Sequence, residues 1–515
     1  MHRGLFLLDI LILIFESVRD ERRPGFRKTL LMLALTCRHF RQPALTILWT
    51  DVEGIEPLCQ LFPCWLQDSS KDDINNQTLE LLQQSSFFNA RASLLLAFSP
   101  SQTALLLSTD RVDFLCALAR LKKNLLLFPH VRELNWILPC QGDFFPVIHM
   151  FLGPALLSLK LSSAIFIHHL EFMRSIGKLC PNLQVLTTSD VYSWPVREQT
   201  IEIISQGVCG LYKLKELRSH QLNEAAFSHL AALSSLRKLD VAFSSAIRTP
   251  LPGHPFPNLR TFVASCGSYG VDALIDNLKM MEITPSEAYF HVPALDVSTT
   301  TSKNFFVTIA KQLDNRTLRR LEITARVRKG FRYENLPSTT QFQLGVEAMR
   351  ALLCFKSLRR ISLEGVRLFS DIDDGLEEMG AAWPQLEEFS IDCRYLHRSS
   401  TYHVPSFRGL VSLVSHCPKL RKVDMVINID NMETVDTEAR GTCNGIITSL
   451  CLVSFHRMPN LEVIARKLFS VVPELEVIRE ANVSPIPVFI SPPWNDICAR
   501  IQELKKERRD GLRVV

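Results

Sequence analysis

The amino-acid sequence predicts an α/β repeat fold, in which three short helices precede a curved solenoid with a parallel sheet on its concave side. Two observations support this prediction. A short apolar phrase recurs through most of the 515 residues, and the segments between its copies have helical periodicity. We therefore divide the chain into three helices (residues 5–50), a helical linker or cap (51–127), irregular repeats (128–480), and a C-terminal cap with a charged tail (481–515).

The composition is that of a folded protein without a strongly charged domain. Hydrophobic residues make up 47% and charged residues 22% of the chain, and the net charge is +5. Residues 1–50 have a net charge of +4 and residues 499–515 a net charge of +3, so the rest of the chain has a net charge of −2. Because no basic field covers a domain, we expect no nucleic-acid partner. No apolar run reaches the length of about 18 residues that a membrane span needs, so we expect no membrane partner.

The cysteines predict a reducing compartment. The chain has 14 of them, scattered and without a C-x-x-C pair. Structural zinc sites need paired ligands, and disulfide frameworks belong to short, cysteine-dense secreted domains. The apolar run from Leu5 to Phe15 is interrupted by Asp9 and has no small-residue cleavage site after it, which argues against a secretory signal. We expect a cytoplasmic or nuclear protein without metal.

The first 50 residues predict three short helices with more apolar surface than they can bury together. The first helix is apolar on every side, the second spans Leu30–Leu35, and the third follows Cys37. A helix that is hydrophobic all round must be buried all round, and a domain this small buries little by itself. Either a permanent helical partner covers these helices, or they dock on the rest of the same chain. Spacing alone leaves both interpretations open.

Three segments in this region resemble the F-box motif, in the order and at the separations of that family. Residues 6–15 (FLLDILILIF) resemble its opening, L-P-x-E-I-L-x-x-I-F, and residues 33–40 (LALTCRHF) resemble its second signature. Residues 42–49 (QPALTILW) resemble the closing helix of fungal, basidiomycete-type F-box proteins, PAL…LW. The match covers residues 5–50, with Leu7 and Asp9 where the family usually has Pro and Glu.

This resemblance implies a binding partner for the three helices. F-box regions bind a Skp-family adaptor and, through it, a cullin. The residues that the resemblance assigns to adaptor binding are Leu7, Leu8, Asp9, Ile10, Leu11, Ile14, Phe15, Leu33, Leu35, Cys37, Phe40 and Trp49.

The rest of the chain repeats the phrase x-L-x-x-L-x-Φ, where Φ is apolar and Pro often precedes. Its copies are anchored at Val131/Leu134, Leu156/Leu159/Leu161, Leu183/Leu186, Leu214/Leu217, Leu236/Leu239/Val241, Leu259/Phe262, Leu295/Val297, Leu318/Leu321/Ile323, Leu358/Ile361/Leu363, Leu386/Phe389/Ile391, Leu420/Val423/Met425, Leu461/Ile464 and Leu475/Ile478. The mean separation is about 29 residues, with gaps from 14 to 41. This period falls at the long end of the range for leucine-rich repeats.

Each copy of the phrase predicts one short strand. The last two apolar residues of L-x-x-L-x-L alternate with period two, as a strand requires. Pro ends the preceding helix, and segments such as Leu170–Ile176 and Gly345–Leu353 have the amphipathic pattern of that helix. Stacked copies form a solenoid. The consensus asparagine is mostly absent, so we expect irregular repeats.

The sequence predicts no catalytic, cofactor-binding or metal-binding residue. His168 and His169 are adjacent, so on a helix they point about 100° apart and do not readily share one ion. The segment Gly267–Gly270 lacks the G-x-S-x-G pattern, and no phosphate-binding loop motif occurs. Cys180 and Cys417 precede prolines at repeat starts, where we expect them to pack in the core. Tryptophans that we also expect in the core are Trp136, Trp194 and Trp383.

Three functions remain open at this stage. The chain is expected to be the substrate-recognition (F-box) subunit of an SCF-type (Skp–cullin–F-box) ubiquitin ligase, with an unknown protein target on the repeats. The alternative is a ligase-independent F-box and leucine-rich-repeat scaffold without catalytic activity. The third possibility is an enzyme, which no recognisable acid, base, nucleophile or phosphate loop supports.

Overall fold

The computed structural model describes residues 8–20, 25–67, 74–100, 109–121, 125–136, 145–161, 167–188, 198–243, 247–249, 251, 253–266, 270–293, 297–326, 342–368, 372–392, 404–430, 432–435, 443–453, 460–480 and 494–511. The chain forms two compact units, Met1–Leu236 and Arg237–Val515. None of the helices in these ranges is both long and apolar enough to cross a membrane.

The first unit begins with three helices and continues as strands that alternate with helical segments. Its α-helices are α1 (Leu8–Asp20), α2 (Phe26–Thr36), α3 (Arg38–Thr50), α4 (Ile55–Cys59), α5 (Cys64–Gln67), α6 (Asn76–Gln84), α7 (Ser86–Ala92), α8 (Thr109–Leu121), α9 (Ile176–Leu179), α10 (Glu198–Cys209) and α11 (Glu224–Ala232). Its strands are β1 (Asp51–Glu53), β2 (Ala97–Ser99), β3 (Glu133–Trp136), β4 (Ser158–Leu161), β5 (Val185–Thr187) and β6 (Glu216–Ser219). Residues Phe145–Met150 and Ile167–Ser175 form 3-10 helices.

The strands of the first unit form a parallel sheet in chain order, β1 to β6. The middle leucines of the repeated phrase, Leu134, Leu159, Leu186 and Leu217, are register partners on successive strands. All four side chains are buried. The phrase therefore builds one continuous apolar column.

The second unit repeats the same plan with longer strands. Its strands are β7 (Lys238–Ala242), β8 (Thr261–Ser265), β9 (Glu287–Pro293), β10 (Arg320–Arg326), β11 (Gln343–Leu344), β12 (Arg360–Glu364), β13 (Arg367–Leu368), β14 (Glu388–Asp392), β15 (Lys422–Asn428), β16 (Ser449–Val453) and β17 (Val477–Glu480). Its α-helices are α12 (Val271–Lys279), α13 (Thr299–Gln312), α14 (Val346–Leu352), α15 (Ile372–Ala382), α16 (Phe407–His416), α17 (Leu461–Val471) and α18 (Trp494–Gly511), and Met432–Thr434 is a 3-10 helix.

The main sheet of the second unit is also parallel and follows chain order, except that β11 and β13 pair separately. Its buried column consists of Leu239, Phe262, Ala288, Leu321, Ile361, Phe389 and Val423. The prediction of an α/β leucine-rich-repeat solenoid is confirmed by this architecture. Trp136 and Trp383 are buried as predicted, whereas Trp194 lies outside the described residues.

One backbone interaction recurs at the start of eleven of the described strands. The carbonyl oxygen of Arg132 accepts hydrogen bonds from two consecutive N–H groups of the next repeat, Leu157 at 2.8 Å and Ser158 at 2.9 Å. The carbonyl of Arg359 does the same for Glu387 at 2.7 Å and Glu388 at 3.0 Å. Other carbonyls that accept such a pair belong to Leu96, Leu157, Gln184, Arg237, Arg260, Ser286, Arg319, Glu387 and Thr448. This shared carbonyl fixes the register of each strand on the one before it.

Two predicted strands are misplaced. The L-x-x-L pair Leu461/Ile464 lies in helix α17, because two apolar residues three positions apart also satisfy helical spacing. The strand of that repeat is β16. Of the pair Leu295/Val297, Leu295 lies outside the described residues and Val297 lies in no strand; the strand of that repeat is β9, in which Ala288 takes the place of a leucine. The helix predicted at Leu170–Ile176 is a 3-10 helix up to Ser175, which spans more length per residue than an α-helix.

The segment predicted as a helical linker or cap (51–127) is helical in much of its described part and also supplies two strands. β1 pairs with β2, and β2 pairs with β3. Each is three residues long and has one buried apolar side chain, Val52 or Phe98. The sheet therefore begins directly after the third helix, about 80 residues earlier than the repeated phrase predicts.

The C-terminal helix α18 caps the repeats through one apolar face and a set of ion pairs. Its buried side chains are Trp494, Ile497, Ile501 and Leu504. Arg500 bonds Glu462 of α17 at 2.7 Å. Hydrogen bonds from Arg500 and Arg466 lower the pKa of Glu462 to about 2. Residues 481–493 of the predicted cap lie outside the described residues.

Gly365 occupies a position where the turn after β12 passes close to β10. Its φ is +71°, and a Cβ there would lie 2.1 Å from the carbonyl oxygen of Ala325. We expect Gly365→Ala to lower the free energy of unfolding by about 1–3 kcal/mol, because an L side chain is strained at positive φ and the carbonyl must move. A lower thermal midpoint by circular dichroism would show this.

Gly445→Ala is the matched control in the same unit, because a Cβ at Gly445 would meet nothing within 4 Å. Its effect should stay within about 0.5 kcal/mol. Equal midpoints for the two variants would contradict the proposed close approach.

Candidate functional site

The three N-terminal helices have a small core of their own. Leu11 and Phe15 of α1 pack with Leu30 of α2 and Ile47 of α3, and all four are at most 4% exposed. The rings of Phe15 and Phe40 meet edge to face, with centroids 5.5 Å apart. Gly25, with φ +104°, turns the chain into α2. Leu11 and Phe15, four residues apart on α1, therefore join α1 to the other two helices.

Helix α1 has a second apolar face that points away from this core. Successive residues of an α-helix are rotated by about 100°, which places Leu13 opposite Leu11 and Phe15, with Ile10 and Ile14 on the flank beside it. Leu13 is 66% exposed, and Ile10 and Ile14 are also exposed. The helix is therefore apolar on two sides, and only one of them is covered.

Helix α2 presents the same pattern. Leu30 and Ala34 face the core, whereas Leu31, Met32 and Leu35 lie outside it and are exposed. Leu35 is 73% exposed. Three large apolar side chains on one face of an 11-residue helix are more than isolated surface residues. Together the exposed faces of α1 and α2 form what we call the apolar surface: Ile10, Leu13, Ile14, Leu31, Met32 and Leu35.

The residues matched to the F-box motif divide into three groups in the structure. Leu8, Asp9, Ile10, Ile14 and Leu35 are exposed. Leu33, Cys37, Phe40 and Trp49 are half-buried. Leu11 and Phe15 are buried in the helical core, so their role is to hold the helices together, and they are not available for contact. Leu7 lies outside the described residues.

The motif match missed three members of the apolar surface, namely Leu13, Leu31 and Met32. A signal for them exists in the sequence. Residues 30–35 (LLMLAL) are six consecutive apolar residues, which cover every side of a helix and exceed what one buried face can use. The run indicates more apolar surface on α2 than one buried face can use, but it does not say which residues the other two helices leave uncovered.

The helices are joined to the sheet without a linker. Thr50 ends α3 and Asp51 begins β1. The Thr50 carbonyl accepts a hydrogen bond from the Leu96 N–H at 2.9 Å. Arg91 of α7 lies over the Trp49 ring, 5.6 Å from its centre. Trp49, which the resemblance assigns to adaptor binding, therefore takes part in this junction.

Arg27 of α2 adds a polar contact to the junction. Its Nη2 donates to the Asp51 carbonyl oxygen at 3.2 Å and lies 3.6 Å from a Glu53 carboxylate oxygen. Burial and the neighbouring Glu53 raise the pKa of the Asp51 carboxyl. These contacts fix the helices on the edge of the first sheet.

The sheet of the second unit has one buried side and one open face. In β12, Ile361 and Leu363 are buried, whereas Arg360, Ser362 and Glu364 are half-buried on the other side. The register places the side chains of β10, β12, β14 and β15 on this open face in straight rows. The residues of these rows are polar or charged, in contrast to the apolar residues on the buried side.

The buried cysteines have no chemistry to offer at neutral pH. Cys180 and Cys417 are buried, as predicted for repeat starts. Burial raises the pKa of both thiols to about 12, and the same holds for Cys59 and Cys266. The Cys417 thiol donates to the Trp383 carbonyl oxygen at 3.5 Å. These groups pack the core as protonated thiols.

Alkylation should distinguish buried from exposed thiols. The thiolate is the reactive form, and a pKa of about 12 leaves Cys180 and Cys417 protonated from pH 7 to pH 10. Iodoacetamide at pH 8 should label exposed Cys64 and Cys443 and spare the buried thiols of Cys59, Cys180, Cys266 and Cys417 until the chain is denatured. Peptide mass spectrometry checks this; native labelling of Cys417 would contradict the burial.

Truncating a buried and an exposed leucine of α1 should have unequal effects on stability. Leu11→Ala should destabilise the three helices by about 2–5 kcal/mol, because it leaves a cavity in their core. Leu13→Ala should change stability by no more than about 0.5 kcal/mol. Amide hydrogen exchange in α1–α3 measures both. Equal loss of protection in the two variants would contradict the assignment of the faces.

Comparison with known proteins finds similarity only among solved structures. The crystal structure of the Rad7 and Elc1 complex in yeast matches with 13% identity and a TM-score of 0.30, over 87% of this chain and 90% of that chain. A leucine-rich-repeat protein of Leptospira interrogans matches with 12% identity and a TM-score of 0.33, over 77% of this chain and 92% of that chain. No protein-family model matches the chain. No curated protein matches it.

Proposed function

We propose that this chain is the substrate-recognition subunit of an SCF-type ubiquitin ligase. The apolar surface of α1 and α2 binds a Skp-family adaptor, the adaptor links the chain to a cullin, and the repeats hold a protein target. The chain catalyses no step itself. It raises the local concentration of target lysines near a ubiquitin-charged enzyme, in the cytoplasm or the nucleus.

The observation that carries this proposal is the apolar surface itself. Its members lie outside a core that the three helices already complete with Leu11, Phe15 and Leu30. Exposed apolar side chains such as Leu13 and Leu35 add nothing to that core. Large exposed apolar side chains that share one side of a helix mark interaction sites. The resemblance of residues 5–50 to the F-box motif supports a Skp-family adaptor as the partner.

The partner is further restricted by the secondary structure that presents the surface. Both apolar faces are formed by helices, and helices pack through rows of side chains three and four residues apart. Ile10 and Ile14 on α1, and Leu31 and Leu35 on α2, have this spacing. A helical partner with an apolar groove or face therefore fits this surface best.

Acidic substitutions on the apolar surface should abolish adaptor binding without unfolding the helices. The full chain is co-expressed with a tagged Skp-family adaptor, as wild type, Leu13→Asp/Ile14→Asp, or Met32→Asp/Leu35→Asp. Each double variant should bind at least about tenfold more weakly, since truncated apolar anchors at interfaces cost about 2 kcal/mol or more. Pull-down and calorimetric titration measure the loss.

Leu81→Asp is the matched control, because Leu81 is a 57% exposed leucine on α6, outside the apolar surface. It should leave adaptor binding unchanged. Wild-type affinity in both double variants would overturn the proposal. Adaptor binding without a cullin and without ubiquitination of a bound protein would instead identify a ligase-independent scaffold.

A further inference from the structure

The open face of the second unit contains a groove across four neighbouring strands. It holds about 260 Å³ and is lined by residues of β10, β12, β14 and β15. Ser362 and Ser390 lie at its centre, as register partners on β12 and β14. Every residue of the groove belongs to the second unit.

The groove exists because short side chains stand between long ones. One register row reads Glu322, Ser362, Ser390 and Asp424. Adjacent strands are about 4.8 Å apart, so this row is about 14 Å long. The two serines form the floor of the groove, and the charged side chains form its walls.

Most charges around the floor are already paired with each other. Arg320 lies 3.4 Å from Glu322 and stacks over the Tyr289 ring at 5.2 Å. Arg360 lies 3.5 Å from Glu388. An anionic partner would have to compete with these acids for the arginines. The basic side of the groove is therefore largely neutralised.

Two carboxylates and two hydroxyls of the groove remain uncommitted. Among the described residues, Glu364 and Asp424 form no ion pair, and the Ser362 and Ser390 hydroxyls form no hydrogen bond. Lys422 lies on the exposed rim and is also unpaired within the described ranges. The groove thus offers a net negative charge beside two free hydrogen-bonding groups.

We propose that this groove binds a lysine or arginine side chain in an extended segment of the target protein. The negative charge of the Glu364 and Asp424 carboxylates, on β12 and β15, favours the cation, and polar groups of the segment bond Ser362 and Ser390. Hydrogen bonds between charged partners are stronger than neutral ones, so these contacts give the groove its selectivity. The inference rests on the proposed function only in naming the bound protein as the target.

A peptide array tests the groove without any ligase component. Dodecapeptides of randomised sequence carry a fixed central Arg, Lys, Gln or Glu and are probed with the purified full chain. Arg and Lys peptides should be retained, and the best binder should bind Glu364→Gln/Asp424→Asn at least about tenfold more weakly in fluorescence polarisation. These substitutions keep the shape of each side chain, and circular dichroism confirms folding.

Asp272→Asn/Glu476→Gln is the matched control, because it makes the same change in net charge within the second unit but outside the groove. It should bind the same peptide like wild type. Equal retention of all four peptide classes would overturn the proposal, as would an equal loss in both double variants. If the wild-type chain retained the Glu peptides and Lys422→Gln did not, the groove would bind an anionic partner and the proposal would be overturned. Adaptor binding is measured separately with the α1 and α2 variants. Failure of the groove proposal can therefore be distinguished from failure of the proposed function.

Discussion

The shared carbonyl at the start of most strands is the interaction on which the rest of the structure depends. One oxygen, such as that of Arg132 or Arg359, accepts two consecutive N–H groups from the following repeat. Each new strand is therefore placed in one register on its predecessor. Because side chains alternate along a strand, this register decides which residues enter the core and which reach the open face. It also requires no particular side chain, so the outward residues are free to specialise.

The groove in the second unit is a direct consequence of that freedom. Leu321, Ile361, Phe389 and Val423 fill the core column of four strands, and these positions tolerate little change because a lost methylene group leaves a cavity. The outward neighbours at the next positions are Glu322, Ser362, Ser390 and Asp424. Replacing a long side chain by serine there costs the fold almost nothing, yet it creates space between charged walls. Recognition can thus vary while the solenoid stays the same.

The limits of prediction from sequence follow from the same geometry. Leucines such as Leu134 and Leu159 could be assigned to the core because they combine period-two alternation with a recurring phrase. The spacing of Leu461 and Ile464 did not decide between a strand and a helix, because L-x-x-L fits both. The structure places the two residues in helix α17. β1 and β2 are too short to show a pattern. In the three helices, Leu11 and Leu13 are chemically identical, and only the packing of α2 and α3 on one side of α1 makes the first buried and the second exposed. The groove depends on the register between strands that are far apart along the chain, and this register cannot be read from one sequence.

The junction between the helices and the first sheet fixes the orientation of the proposed adaptor surface. A flexible tether would disperse a target over a large volume, and effective concentration falls as linker length grows. Here no linker exists, because Thr50 and Asp51 are consecutive and belong to α3 and β1. Contacts from Arg27 and Arg91 and the Leu96 N–H hold the helices on the first strands. Since these contacts are independent of the apolar surface, a partner on α1 and α2 is held in a defined orientation on the edge of the first sheet. A rigid connection of this kind suits a protein whose contribution to a reaction is the position of its partners.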